Sequence, residues 1–248
     1  MDSTAVNPPA RWIRELRLAA VLVASGAVLS GPVAMVLVLL VAPQPPWTGV
    51  DAFTASYHPV QALPYALGYL LLTGFVLFAA ACHASAATSL RARTSAALVF
   101  TSVYAAMVFT NYTIQLGFIP RALEHRPEYL AVLTMDNPAS FGWVLEMFGY
   151  AAMGVATWLL APAFGGSRRA DGIRALLVAN GVLSVMGAVA VALFDDWVFS
   201  RFGFVSFAGW NALVVVCFVL IATTPGDGTG LIVREDIAEP QARTVPRG

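Results

Sequence analysis

Six apolar stretches, each long enough to cross a lipid bilayer as a helix, constrain this chain more than any other feature. The hydrocarbon core of a membrane is about 30 Å thick and takes about 20 apolar residues per helix. Transmembrane strands would instead need segments of about 10 residues with alternating polarity, and these stretches are continuously apolar. They cover 16–42, 63–88, 95–118, 141–164, 173–194 and 204–223. The sequence therefore predicts an all-α polytopic membrane protein, a compact bundle of six transmembrane helices.

The composition excludes a soluble fold. Charged residues make up 11% of the 248 residues and hydrophobic residues 58%, whereas a soluble domain carries about 25% charged residues. A soluble enzyme, a nucleic-acid-binding protein and a disordered chain are all excluded on this ground. We divide the chain into a cytoplasmic segment (1–15), a transmembrane domain (16–223) and a disordered cytoplasmic tail (224–248).

The arginines predict the orientation of the bundle, because cytoplasmic loops are enriched in basic residues. All fourteen basic residues are arginine. Eleven flank the predicted spans on the side of the two termini, and only Arg121, Arg126 and Arg201 lie on the other side. We therefore expect a multi-pass protein of the cell membrane with both termini in the cytoplasm. The opposite side is called the outer side below.

The second outer loop carries a pattern of its own. Residues 127–135 begin with Pro and Glu and place Tyr129, Leu130 and Leu133 at helical spacing. This pattern predicts a short amphipathic helix lying on the membrane surface. Asn137, followed by a proline, is the predicted N-cap of the fourth span.

Polar residues gather at one predicted depth in the bundle. Glu146 is the only carboxyl well inside a span, roughly 9–13 Å below its outer end at 1.5 Å per residue. An ionisable group within a bilayer costs about 2.5–3.5 kcal/mol on insertion scales and usually faces the interior of the bundle. Other spans contribute polar residues at or near this depth, namely Asn111, Gln115 and Asn211, with Asp195 and Asp196 at the outer end of the fifth span.

Helical spacing places the polar residues of spans three and four on two stripes. Trp143, Glu146 and Tyr150 share one stripe of span four, and Asn111 and Gln115 share one stripe of span three. Facing each other, the stripes would line an aromatic-walled space that holds a single acid. An acid among apolar groups favours its neutral form, and a neutral acid can donate a proton. The same residues could instead form interhelical hydrogen bonds that only stabilise the bundle, by about 0.6–2 kcal/mol each.

Two resemblances follow from these residues. The chain resembles a group of uncharacterised bacterial six-helix integral membrane proteins at three places. These are the segment Asn-Tyr-Thr-Ile-Gln at 111–115, the Asn-Pro pair at 137–138, and Glu146 with Tyr150 and Met153. This resemblance covers spans three and four and implies the six-helix fold without an activity. In general architecture, the bundle with one intramembrane acid is also similar to integral membrane terpene cyclases and sterol isomerases. This similarity concerns the architecture alone, and no sequence motif of those enzymes is matched.

The first functional hypothesis is a site for a lipophilic small molecule in the outer half of the bundle. The site could catalyse acid-dependent cyclisation or isomerisation of a terpenoid-like substrate, because aromatic rings stabilise a cation that develops on it. We expect no cofactor, no metal ion and no nucleic-acid partner. The proposed roles are proton donor for Glu146, orientation of the substrate for Asn111, Gln115 and Asn211, and walls for Trp143, Tyr150 and Trp210, with Asp195 nearby.

Two alternatives remain open from the sequence. One is a small transporter or channel subunit that uses Glu146 with Asp195 and Asp196 as a proton or cation path. The other is a non-catalytic membrane assembly partner that docks through residues 127–135. The sequence leaves the oligomeric state open.

Overall fold

A computed structural model describes residues 8–125, 127–194, 196–224 and 231 of the chain. Within these residues the regular structure is helical, and six helices are long and apolar enough to cross a membrane. The predicted all-α fold with six candidate spans is confirmed at this level. The spans are Arg11–Val41, Pro59–Ser85, Thr88–His125, Phe141–Ala163, Arg168–Leu193 and Arg201–Ala222.

Ten α-helices build these spans and the loops of the described residues. Two of the spans contain a wider π-helical turn, at Leu29–Val33 and at Ile114–Phe118. The helices are α1 Pro8–Val28, α2 Ala34–Val41, α3 Val50–Ser56, α4 Leu63–Ser85, α5 Arg91–Thr113, α6 Ile119–Ala122, α7 Leu130–Leu133, α8 Phe141–Leu160, α9 Arg168–Leu193 and α10 Arg201–Ala222.

The six long helices form a closed ring in the order α1, α4, α5, α8, α9, α10, in which each packs on its two neighbours. The backbones of α1 and α4 approach each other closely at two glycines. A Cβ atom added to Gly26 would lie 2.2 Å from the backbone nitrogen of Leu71, and one added to Gly74 would lie 2.6 Å from that of Val23. Small residues at helix crossings allow this approach in membrane proteins.

Aromatic side chains fill the middle and inner part of the ring. The ring centroids of Phe78 and Phe218 lie 4.9 Å apart, and Phe78 also stacks on Phe164 at 6.1 Å. Both cysteines, Cys82 and Cys217, are free and buried beside this core. The inner half is therefore packed with apolar groups.

The first span bends at Gly31, whose φ of −84° and ψ of −106° are not helical. The next residue is Pro32, which has no N–H to donate and so disrupts the hydrogen bonds of a helix. Beyond the bend, α2 still contacts α4 and buries Ala34 and Val38, but its other face is open, with Leu40 76% exposed. The outer part of α10 is similarly open, with Phe202 77% and Val205 67% exposed. The first and last spans thus present apolar surface near their outer ends.

The outer loops pack on each other instead of lying flat. Phe53 of α3 forms a small core with Ile119, Ala122 and Leu130. The predicted short amphipathic helix over 127–135 is present only in part, because the α-helix there is limited to α7, Leu130–Leu133. Leu130 is fully buried in the protein, whereas Tyr129 and Val132 are exposed.

The fourth span begins at Phe141, as expected, but Asn137 is not its N-cap. Ser140 caps α8 by accepting a hydrogen bond from the backbone N–H of Trp143. Asn137 closes the preceding loop, donating to the carbonyl oxygen of Ala131 at 2.6 Å and accepting from the N–H of Ala139. Both residue types cap helices, and the chain uses the later one.

The predicted disordered tail, 224–248, lies outside the described residues except for two positions. Thr224 follows α10, and its carbonyl oxygen accepts a hydrogen bond from the Arg17 guanidinium. Leu231 is buried, and its carbonyl oxygen accepts a hydrogen bond from the N–H of Gly165.

Candidate functional site

The Glu146 carboxyl is held by two donors from the neighbouring helix α5. Asn111 Nδ2 donates to Oε2 at 2.8 Å, and the Tyr112 hydroxyl donates to Oε1 at 3.0 Å. Asn111 and Tyr112 are buried, whereas Glu146 is half-buried. Since each carboxyl oxygen accepts a hydrogen bond, the side chain of Glu146 is fixed in one orientation within the bundle.

Aromatic side chains extend from this carboxyl toward the centre of the ring. The Tyr112 and Tyr150 hydroxyl oxygens lie 3.2 Å apart. The Tyr150 ring packs against Tyr104 at 5.5 Å and edge-on against Trp210 at 5.0 Å between centroids. Helices α5, α8 and α10 thus each contribute aromatic groups to the wall beside the acid.

The hydroxyl of Tyr104 is buried and forms no hydrogen bond with the described residues. Buried hydroxyl groups are usually paired, because a buried unpaired group costs about 1–3 kcal/mol. Tyr104 is fully buried and lies directly against Tyr150. The Tyr104 side chain therefore forms the inner end of the aromatic wall.

The remaining polar groups of this region tie the second outer loop to the bundle. Gln115 donates to the carbonyl oxygen of Leu133 at 2.8 Å and to Asn111 Oδ1 at 3.2 Å. The Trp143 indole N–H donates to the carbonyl oxygen of Met135 at 2.7 Å. Asn111 Nδ2 also lies 3.0 Å from the sulfur of Met135. Asn111, Gln115 and Trp143 therefore hold residues 133–135 against the outer ends of α5 and α8.

Asn211 and Trp210 lie on the same helix but make different contacts. Trp210 reaches the aromatic wall, and its indole N–H donates to the Ser184 hydroxyl of α9 at 3.1 Å. Asn211 has no hydrogen bond to Glu146. It donates to the carbonyl oxygen of Phe207, and a Cβ added to Gly31 would lie 2.6 Å from its Oδ1. Asn211 thus packs at the bend of the first span.

Of the two aspartates at the end of the fifth span, Asp195 lies outside the described residues, and Asp196 does not join the cluster. Asp196 is exposed, and its carbonyl oxygen accepts from the N–H of Phe199 in the turn before α10.

A second acid, Asp136, lies in the outer loop and escaped the sequence reasoning. Its carboxyl accepts a hydrogen bond from the Thr134 hydroxyl at 3.0 Å. Burial raises the pKa of Asp136 from 3.8 to about 6, against the lowering effect of its hydrogen bonds. Burial, together with the charge of Asp136, also raises the pKa of Tyr57. The loop therefore carries an acid that titrates close to neutral pH.

Sequence reasoning also missed Tyr112, the second donor to Glu146. Tyr112 follows Asn111 directly, so helical spacing assigned it to another face of the helix. Its ring packs against both Tyr65 and Tyr69 of α4, with centroids 5.7 Å apart in each case. The many tyrosines in spans two, three and four were the feature of the sequence from which the role of Tyr112 could have been predicted.

Comparison with known proteins identified no relative of the chain. No family model, curated protein or solved structure matches the chain. Among the described residues, no group of three His, Cys, Asp or Glu side chains could hold a metal ion. Function is therefore argued from the geometry of the site, and the resemblance in spans three and four stays a prediction.

Proposed function

We propose that the chain is a multi-pass protein of the cell membrane, with cytoplasmic termini, that binds a lipophilic small molecule in the outer half of the bundle. Glu146 donates a proton to a terpenoid-like substrate, which is then cyclised or isomerised. One observation carries the proposal. A half-buried carboxyl inside a candidate span is fixed by Asn111 and Tyr112 and lies beside the aromatic wall of Tyr150 and Trp210.

The chemistry balances without a second reactant. Transfer of a proton from Glu146 to a carbon–carbon double bond leaves a carboxylate on the protein and a carbocation on the substrate. The Asn111 N–H and the Tyr112 O–H both stabilise the carboxylate, because hydrogen bonds to an ionised acceptor are the strong ones. The faces of Tyr150 and Trp210 stabilise the cation. Loss of a proton from a neighbouring carbon returns a proton to the carboxylate and completes an isomerisation. In a cyclisation, the electron pair of a second double bond in the substrate first attacks the cation and forms the ring bond, and the new cation then loses the proton.

The hydrogen bonds refine the roles assigned from the sequence. The amides of Asn111 and Gln115 are already engaged with Glu146 and the outer loop, so both are positioning residues in this proposal. Trp143 positions the loop through its indole N–H. Direct contact with the substrate falls to Glu146 and the aromatic wall.

Exposed apolar surface near the outer end of the bundle supports a lipid-soluble substrate. The first span and the outer part of α10 carry exposed apolar residues there, such as Leu40, Phe202 and Val205. Asn211, the neighbour of Trp210 on α10, packs at the bend of the first span.

Solvent deuterium tests the proton transfer directly. Wild type in liposomes, with geranylgeraniol as the probe in D2O buffer, should release a product carrying carbon-bound deuterium, detected by mass spectrometry. Glu146→Gln keeps the size and hydrogen-bonding capacity of the side chain but removes the acidic proton, so incorporation should fall to background. Glu124→Gln, which changes an exposed acid away from the cluster, should behave as wild type. Equal incorporation in Glu146→Gln, or none in wild type, would contradict the proposal.

The alternatives predict different results. A transporter needs a polar path, but Phe75, Phe78 and Phe218 pack the middle and inner part of the ring. Asp196, at the outer end, is exposed and lies outside the Glu146 cluster. An assembly partner could use the exposed outer surfaces of α2 and α10. For that role, Glu146→Gln would alter neither complex formation nor any chemical conversion.

A further inference from the structure

A groove lies on the surface of the third span, where its helix widens into the π-helical turn Ile114–Phe118. The groove has a volume of about 410 Å³ and is mostly apolar. Gly117 leaves its floor open, because a Cβ atom added there would have no heavy atom within 4 Å. The groove is lined by Thr113, Ile114, Gly117, Phe118, Arg121 and Leu133.

Among the described residues that line this groove, Arg121 is the one cation, and it lies at the end of the groove. Arg121 is exposed and forms no ion pair within the described residues, although Glu124 lies one turn further along the chain. The predicted apolar stretch of this span ends at Phe118, so Arg121 lies about 4.5 Å beyond it at 1.5 Å per residue. That height corresponds to the headgroup region of a bilayer.

An aromatic contact also indicates that the charged end of the groove lies at the level of the lipid headgroups. Phe118 packs against Tyr129 with ring centroids 5.6 Å apart, and both side chains are exposed. Tyrosine is enriched at the boundary between membrane and water, where its ring is in lipid and its hydroxyl in water. The apolar part of the groove therefore faces acyl chains, and its charged end faces phosphate groups.

We propose that this groove binds one phospholipid molecule, with an acyl chain over Gly117 and the phosphate on the Arg121 guanidinium. The occupant follows from the charge and the shape together. An acyl chain alone would not need the cation, and a free phosphate would not need the apolar floor. Arginine pairs well with phosphate because its N–H groups can donate two parallel hydrogen bonds. The site is separate from the Glu146 cluster and does not depend on its chemistry.

Native mass spectrometry of the delipidated full chain tests the charged end, with dioleoyl phosphatidylglycerol as the probe. Wild type should bind one lipid more tightly than any further ones. Arg121→Gln should weaken that first binding about tenfold or more, since a hydrogen bond to a charged group is lost. Arg201→Gln is the matched control, because Arg201 is also an exposed arginine near the predicted outer surface, and it should bind as wild type.

The apolar end is tested by filling the groove. Gly117→Leu should weaken the first binding while leaving Arg121 in place. Gly209→Leu provides the control, since a Cβ atom at Gly209 also has nothing within 4 Å. Dioleoylglycerol, which lacks the phosphate, and glycerol 3-phosphate, which lacks the chains, should each bind more weakly than the phospholipid. Equal lipid binding by Arg121→Gln and Arg201→Gln, or by Gly117→Leu and Gly209→Leu, would overturn the proposal.

Discussion

At the residue scale, the Glu146–Tyr112 contact offers a direct measure of how strongly the acid is held. Tyr112→Phe removes the hydroxyl but keeps the ring that packs on Tyr65 and Tyr69. A double-mutant cycle of Tyr112→Phe with Glu146→Met, which keeps the length of the side chain but has no oxygen to accept the hydrogen bond, should give a coupling energy of about 1 kcal/mol in the free energy of unfolding, in the range of interhelical hydrogen bonds. Unfolding in mixed detergent micelles supplies the measurement.

The control cycle replaces Tyr112→Phe with Tyr129→Phe. Tyr129 is exposed and lies in the outer loop, so its coupling to Glu146→Met should be zero within error. A coupling of zero for Tyr112 as well would mean that the hydroxyl does not hold the carboxyl.

The raised pKa of Asp136 leads to a prediction of how the stability of the chain changes with pH. Its pKa is raised from 3.8 to about 6 by burial, so between about pH 4 and 6 the folded chain keeps a proton that the unfolded chain has lost. The stability contributed by the neutral acid is present below pH 4 and is lost as the pH rises through 6. Asp136→Asn should reduce the fall in unfolding free energy between pH 4.5 and 7.5 by on the order of 1 kcal/mol.

Chemical unfolding at the two pH values checks this expectation. Glu128→Gln, which changes an exposed acid of the same loop, should keep the pH dependence of wild type. An unchanged pH dependence in Asp136→Asn would show that this carboxyl is not the group responsible.

At the scale of elements, the junction between the outer loop and α8 depends on one glycine. A Cβ atom at Gly142 would lie 2.9 Å from the carbonyl oxygen of Leu133, 2.9 Å from Met135 Cγ and 3.2 Å from Asn111 Oδ1. Gly142→Ala should therefore push the loop off the bundle and weaken its hydrogen bonds with Gln115. Hydrogen–deuterium exchange should become faster over residues 130–140, and the chain should become less stable by about 1–3 kcal/mol, the usual range for overpacking.

Gly209→Ala is the control for this substitution. Gly209 is also in a long helix, but its added Cβ would contact nothing within 4 Å. Alanine is favoured over glycine in a helix by up to about 1 kcal/mol, so the control should be neutral or slightly stabilising. Faster exchange in residues 130–140 of the control would argue against a specific effect at Gly142.

Comparing the helices with their sequence-based predictions shows which features of the fold could be predicted and which could not. Apolar length alone placed the fourth span at 141–164, and the helix lies at Phe141–Ala163. Helical spacing put Asn111 and Glu146 on facing stripes, and the two side chains meet. Equal depth does not fix which way a helix is turned, so Asn211, at the same predicted depth, packs on Gly31 instead. The packing of Leu130 on Phe53 could not be predicted, because Phe53 comes from a distant segment of the chain.

At the scale of the whole molecule, the two ends of the bundle differ in chemistry. Aromatic residues pack the middle and inner part of the ring, whereas the polar cluster and the packed loops occupy the end that the arginine distribution predicts to be outside. The orientation therefore decides which leaflet would supply a ligand to Glu146. Thr88 and Glu128 lie near opposite ends of the third span, and both are exposed. The native cysteines, Cys82 and Cys217, are buried, so single cysteines introduced at these two positions can be labelled with little background.

We expect a membrane-impermeant maleimide to label Glu128→Cys in intact cells. Thr88→Cys should react only after the membrane is permeabilised, because the arginines beside it predict a cytoplasmic position for that end of the span. Labelling of both variants after permeabilisation is the control for accessibility. The reverse labelling pattern would show that the orientation is opposite to the predicted one. The bend at Gly31 and the exposed part of α10 would then lie in the cytoplasmic leaflet, and a ligand of Glu146 would have to enter from the cytoplasmic side.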